Sequence, residues 1–501
     1  MEKYERIADA TGRAGTLTVI DMKYAYFFLL IAGSAYLQSC LAECKNPDGQ
    51  KLTVPAIYPD YTGTVFPANI SAPNFIIQED GERFQTEIGY DNHIKIRLVK
   101  NSPQVQIPLK DWDGLLSNAR GKTIFFRITI LKNGKWTRYA DIENRVADSS
   151  IDEYLAYRLI YPGYELWNGM GIYQRQLSSY KETAIVENKS LGDKQCLNCH
   201  TFSKNSPETM MLHIRGKSGG TIIYRDKNLK KTDTKRPEFK NAGAYASWHP
   251  SGRYIAFSLN DVKQLFHIEG KKNIEVFDLA SDLAVYDVEN NTMITDRSLS
   301  GNQYLETFPN WSPDGKTLYY CRANEYVAGE PLDSIRYDLY KISFNPDSLT
   351  FGSPVCIYPA SRQNKSVSFP RISPDGHYLM FTVSDYGNFS VWHPESDLCL
   401  LNLSSKEMRL MDEVNSNETE SFHTWSSDGK WFVFSSKRLD GLWARPYFAC
   451  FDSETGKAGK PFLLPQKDPL FYDTFTKTYN LPELITSPVT IGKDIISAFF
   501  R

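Results

Sequence analysis

Five consecutive residues, Cys196-Leu197-Asn198-Cys199-His200, carry the densest chemistry in the chain. Two thiols three positions apart can each form a thioether with a haem vinyl group. The histidine that follows can then lie under the iron as proximal ligand. The spacing predicts covalent haem c on Cys196 and Cys199, with His200 on the iron. A distal ligand is expected close by in sequence. Met210, Met211 and His213 follow at once, and a thioether or an imidazole suits haem iron.

Other chemistries compete for the same pair. An oxidising compartment favours a disulfide between Cys196 and Cys199. A structural metal site needs more ligands, and the sequence has no second C-x-x-C to supply them. A thioredoxin-like dithiol needs a βαβ setting, whereas the flanking runs read as strands. Met210 and Met211 also read as core residues at the start of a strand, and His213 as a satisfied or solvent-facing histidine. No G-x-S-x-G or H-E-x-x-H motif occurs, and no pair of carboxylates has a readable catalytic spacing. A hydrolase or peptidase accessory is therefore the least supported reading.

The compartment is read from the other end of the chain. Tyr24 to Tyr36 form the one long apolar run, short for a bilayer span. Lys23 precedes it and small residues follow, the order of a secretory signal. Met22 stands directly before Lys23, so the signal is read as residues 22–39 and residues 1–21 as an extension of the gene model. Leu37-Gln38-Ser39-Cys40 resembles the bacterial lipobox. That resemblance implies that Cys40 receives a diacylglycerol and that the mature chain begins there. Each buried CH₂ of such an anchor contributes about 0.8 kcal/mol. The expected location is the cell envelope, as an outer-membrane lipoprotein facing the periplasm.

The elements that position the motif are strands. Aromatic residues make up 13% of the 501 residues, which leans towards β structure. A net charge of −2 gives no field to attract nucleic acid. Residues 40–60 read as a polar tether. Residues 61–150 show short alternating runs such as His93 to Val99 and Thr123 to Ile130, then an Asn133-Gly134 hairpin turn. They predict a small β-sandwich.

Four later segments repeat: Tyr245-Ala246-Ser247-Trp248-His249-Pro250-Ser251-Gly252, Phe308-Pro309-Asn310-Trp311-Ser312-Pro313-Asp314-Gly315, Phe369-Pro370-Arg371-Ile372-Ser373-Pro374-Asp375-Gly376 and Phe422-His423-Thr424-Trp425-Ser426-Ser427-Asp428-Gly429. Each reads strand, tight turn, strand. Proline sets φ at the second turn position and glycine takes the left-handed one. The turn glycines lie 63, 61 and 53 residues apart, and units of this kind must stack to bury both faces.

The W-S-P-D-G-K motif resembles the repeat of TolB-type propellers. With two weaker repeats over 151–240, the expectation is an all-β chain, a six-bladed TolB-like β-propeller over 151–465. A C-x-x-C-H loop is expected at 187–208, and a closing segment at 466–501. Signal, sandwich, C-x-x-C-H and repeats together resemble a group of exported Bacteroidetes proteins labelled as cytochrome c biosynthesis or TolB-like proteins. The resemblance implies a binding scaffold in the envelope, with an envelope protein or a redox partner docked on it. Haem on His200 would add electron transfer. Without haem, the same propeller would be an interaction protein with a Cys196–Cys199 disulfide. Cys321, Cys356, Cys399 and Cys450 read as buried small hydrophobes.

Overall fold

A computed structural model describes residues 43–161, 169–192, 195–235, 241–270, 272–301 and 303–500. Cys40 and the apolar run 24–36 lie outside these residues. No helix among the described residues is long and apolar enough to cross a membrane.

Among the described residues, six antiparallel sheets of four or five strands follow one another along the chain from Tyr154. Five of them run in chain order from an inner strand outwards. Their inner strands are Gln195–Ser203, Ala244–Trp248, Tyr304–Trp311, Ser366–Ile372 and Glu420–Trp425. The sixth sheet is built from both ends of this region. Thr478–Ile485 is its inner strand and pairs antiparallel with Tyr154–Ile160, which continues to Gly171–Gln176 and Glu182–Glu187. Each inner strand touches the next, and Thr478–Ile485 touches both Glu420–Trp425 and Gln195–Ser203, so the ring closes. This is a β-propeller, and closure leaves no exposed inner edge.

The repeated turns explain the regularity. In Ser312-Pro313-Asp314-Gly315 the Ser312 hydroxyl donates to Asp314, whose carboxylate accepts from the Lys316 N–H at 3.0 Å, and Thr317 N–H donates to Ser312 Oγ at 2.9 Å. The same bonds recur at Ser373/Asp375 and Ser426/Asp428. Gly252, Gly315, Gly376 and Gly429 all lie near φ +70°, where a side chain is strained.

The region before the propeller holds a seven-stranded and a three-stranded sheet, which meet where Phe75 stacks on Phe126 at 5.9 Å. It also contains a helix, Leu109–Asn118, where the alternating runs predicted strands only. Its signature was Pro108 at the N-cap with Trp112, Leu115 and Leu116 on one buried face. The region docks on the last sheet and the segment after it. Phe66 packs edge-on against Phe462, Lys460 pairs with Asp60 at 2.7 Å, and Asn74 donates to the Gln466 and Lys467 carbonyls.

Three expectations are corrected. The C-x-x-C-H motif is on a strand, Gln195–Ser203, not in a loop spanning 187–208. Asn198 has little β propensity, and a bulge breaks the alternation that would have marked the strand. Of the four cysteines expected in the core, Cys321 and Cys399 are buried, but Cys450 is half-buried and Cys356 exposed. Cys196 and Cys199 are free thiols, so the disulfide weighed as the alternative to haem is not formed.

Closure by one strand makes Leu484 a test point, since it is fully buried in Thr478–Ile485. Leu484→Ala should cost about 2–5 kcal/mol in urea unfolding. The same change at Leu410, exposed on an outer strand, should stay within about 0.5 kcal/mol.

Candidate functional site

All six inner strands carry a bulge at the same height. In each, two residues face one on the neighbouring strand: Asn198-Cys199, Tyr245-Ala246, Phe308-Pro309, Phe369-Pro370, Phe422-His423 and Leu481-Pro482. The C-x-x-C-H motif is thus in register with the repeats. Tyr245, Phe308, Phe369, Phe422 and Leu481 adopt φ between 47° and 53°. Left-handed backbone at bulky residues costs on the order of 1–3 kcal/mol each and needs surroundings that impose it. Here those surroundings are the rings themselves. Tyr245 meets Phe308 at 4.5 Å, Phe308 meets Phe369 at 4.0 Å, and Phe369 meets Phe422 at 4.7 Å. The rings plug the propeller axis.

Two cavities flank the plug, and Cys199, Tyr245 and Leu481 line both. The larger, about 500 Å³, opens beside the repeated turns. The residue after each bulge forms its polar ring: His200, Ser247, Asn310, Arg371, Thr424 and Glu483. Four of these are engaged in holding sheets together. Ser247 Oγ accepts from Trp311 N–H at 3.3 Å and Asn310 Oδ1 from Ile372 N–H at 2.9 Å. Thr424 donates to the Pro482 carbonyl at 2.8 Å, and Glu483 Oε2 accepts from Phe202 N–H at 3.2 Å.

His200, whose ring reaches the Leu481 backbone of the neighbouring inner strand, and Arg371 make no inter-sheet bond of that geometry. Both His200 ring nitrogens are buried without a hydrogen bond of ordinary geometry, and Arg371 donates only to the adjacent Pro370 carbonyl. In the ring order of inner strands they lie three apart in either direction, on opposite sides of the axis. Burial, and then the Arg158 charge, hold His200 down to about 3, so it is neutral. Burial pushes Glu483 up to about 7 against the opposing pull of Arg371.

The smaller cavity, about 240 Å³, is lined by Cys196, Cys199, Arg158, Arg215 and Met170. Arg158 donates to the Asn198 carbonyl and, at 3.0 Å, to Asn480 Oδ1, which pins the bulge of the motif. One wall is a long ribbon, Tyr254–Phe266 with Ile274–Asp287, through Val262, Gln264 and Val276. The ribbon is latched to the far side by Lys272 on Glu395 at 2.8 Å and by Tyr386 on Glu275 at 2.5 Å.

The structure therefore brings Cys196, Cys199 and His200 to the axis. It does not bring Met210, Met211 or His213 there. Met210 and Met211 pack in two separate cores, and His213 Nδ1 lies 3.0 Å from Thr221 Oγ1. Neither cavity is lined by any of the three. Sequence reasoning passed over Arg371, Glu483 and Met170. The first stands in a quoted repeat, as the polar residue two after the aromatic. Met170 lies between strands and gives no sequence signal.

No family model matches the chain, and no curated protein matches it. Among solved structures it is similar to an oligogalacturonate lyase from Vibrio parahaemolyticus, at 11% identity and a TM-score of 0.30, over 75% of this chain and 100% of that one. It is similar to a periplasmic gluconolactonase from Pseudomonas aeruginosa, at 13% identity and a TM-score of 0.31, over 63% and 97%. It is also similar to a puromycin-hydrolysing peptidase from Mycobacterium tuberculosis, at 12% identity and a TM-score of 0.36, over 83% of this chain and 57% of that one.

Neutral burial of His200 has a measurable signature. Its stabilising contribution is complete above the unfolded pKa near 6.5. It is lost as pH falls towards 3, because the unfolded chain takes up a proton that the folded one refuses. Whatever it costs at pH 7, His200→Gln should gain about 2 kcal/mol relative to the parent chain between pH 7 and pH 5 in urea unfolding. An unchanged difference would mean that His200 takes up its proton in the fold as readily as in the unfolded chain.

Proposed function

We propose that this chain is a cell-envelope binding protein. Its six sheets act as the six blades of a TolB-like propeller, preceded by a small sandwich-like domain. Residues 22–39 direct export, and Cys40 carries the lipid that holds the protein at the outer membrane, facing the periplasm. The propeller grips the polar end of a ligand or partner in its larger axial cavity, between His200 and Arg371.

One observation supports this reading. Of the six equivalent polar ring positions, four are spent on inter-sheet hydrogen bonds, while Arg371 lines a cavity of about 500 Å³ with one hydrogen bond, to the Pro370 carbonyl, and His200 lines it with both ring nitrogens buried. Buried polar groups left without partners carry a standing cost, and binding sites are where proteins keep them. Photo-crosslinking tests it. A benzoylphenylalanine at Ser247, on the cavity wall, should form an adduct of defined mass in the envelope of the native host, and one at Leu410 should not. Equal labelling, or none at Ser247, removes the axial reading.

A second reading is favoured by the donor set. Cys196 and Cys199 are free thiols on one wall, His200 has two orphaned buried nitrogens, and Met170 lines the cavity that holds both thiols. Cys196 and Cys199 would hold a covalent haem c through thioethers, and His200 would ligate its iron. Such a group would supply one-electron transfer to a docked redox partner. After co-expression with a cytochrome c maturation system, a Soret band that survives denaturation and disappears in Cys196→Ala/Cys199→Ala would support it. A colourless protein would remove it.

A further inference from the structure

Around the larger axial cavity the six ring positions fall into two arcs. Asn310, Arg371, Thr424 and Glu483 stand on four consecutive inner strands and are half-buried. His200 and Ser247, on the other two, are buried. A guest therefore meets the first arc.

Each member of that arc has polar capacity beyond its bond within the protein. Asn310 commits Oδ1 to Ile372 N–H and retains its amide N–H groups. Arg371 commits one nitrogen to the Pro370 carbonyl and retains Nε and Nη2. Thr424 donates its one proton to the Pro482 carbonyl, so its lone pairs remain. Glu483 commits Oε2 to Thr201 and to Phe202 N–H and retains Oε1. Asn310 Nδ2, Arg371 Nε and Nη2 and Glu483 Oε1 all reach solvent. Around the arc the capacity thus runs donor, donor, acceptor, acceptor.

Charge selects little here. Arg371 and Glu483 attract each other without closing an ion pair among the described residues. An anion meets Glu483 and a cation meets Arg371. Lys204 stands exposed at the rim, where water screens it. Burial holds the Glu483 proton up to about 7, which weakens its grip on an ammonium group. A hydroxyl can use the carboxyl in either form. The floor of the cavity is apolar, with Tyr245, Phe369 and Leu481.

A hydroxyl both donates and accepts, so it can meet every position of such an arc. A sugar ring carries several hydroxyls along its edge and C–H groups on its faces. That suits a polar arc above an apolar floor. We infer that the larger axial cavity takes an uncharged sugar ring, its hydroxyl edge on Asn310, Arg371, Thr424 and Glu483 and a C–H face on the floor. This rests on the reading of that cavity as the binding site. A volume of about 500 Å³ lies in the usual range for small-molecule sites.

Isothermal titration and saturation-transfer NMR of the full chain test it, with the methyl glycosides of glucose, galactose and mannose as probes. Glucuronate, glucosamine, glutamine and N-acetylglycinamide serve as anionic, cationic, zwitterionic and amide comparators. At least one neutral glycoside should bind, at least tenfold more tightly than any comparator. Glu483→Gln retains an oxygen for Phe202 N–H and turns the remaining acceptor into a donor. Arg371→Gln removes the guanidinium. Each should weaken that glycoside about tenfold. Should either variant fail to fold, Asn310→Asp takes its place, since it retains an oxygen for Ile372 N–H and loses the remaining donor. Tighter binding of any comparator, or glycoside binding untouched in the folded variants, overturns the inference. If no glycoside binds while the Ser247 crosslink still forms, the sugar assignment falls and the axial site stands. If the crosslink fails as well, both fall.

Discussion

The structure depends on a bulge that bulky residues must hold in left-handed backbone. At Tyr245, Phe308, Phe369, Phe422 and Leu481 the inner strand takes a conformation that glycine usually supplies. The conformation is sustained because it aims large apolar side chains at the axis, where four of them pack as a continuous aromatic cluster. Strain at single residues is thus offset by contacts among several sheets. The same kink sets which side chain comes next into the channel. The plug, the two cavities and the polar ring all follow from one repeated backbone event.

The ring shows how fold and site share a set of positions. A hydrogen bond from each inner strand to the next needs an acceptor beside the bulge, and Ser247, Asn310 and Glu483 provide it. Removing any one leaves a buried N–H unpaired, at a cost of about 1–3 kcal/mol. His200 and Arg371 depart from this duty at the same height, one on each side of the axis. The departure is informative because the other four positions define what a purely architectural residue does there.

How much of this was readable in the sequence follows from which constraints are local. The Ser-Pro-Asp-Gly turns were legible because their glycine and aspartate serve a conformation fixed within five residues. The polar tail of each repeat was also in view, as Ser247, Asn310, Arg371 and Thr424, but only ring closure shows that they share a cavity. The inner strand Gln195–Ser203 was hidden, since its haem-type motif replaces the aromatic of the bulge with Asn198 and its hairpin turns at Lys204-Asn205 without the repeat's proline and glycine. Helix Leu109–Asn118 was missed although its apolar spacing is helical, because strand-like runs on both sides set the expectation. Met210 and Met211 were attractive as ligands by proximity alone, and neighbours along a strand point to opposite faces.

Closure of the ring by Thr478–Ile485 on Tyr154–Ile160 has a consequence for how the protein comes into being. The two strands are separated by more than three hundred residues of chain, so their pairing is the most non-local contact in the propeller. Until the last strand is available, the sheet of Tyr154–Ile160 exposes an unpaired inner edge, and the aromatic plug lacks Leu481. A ribosome-bound chain can form the middle sheets in sequence but holds an open arc, not a ring. The axial cavities, and any ligand selectivity they have, come into existence in a single late step.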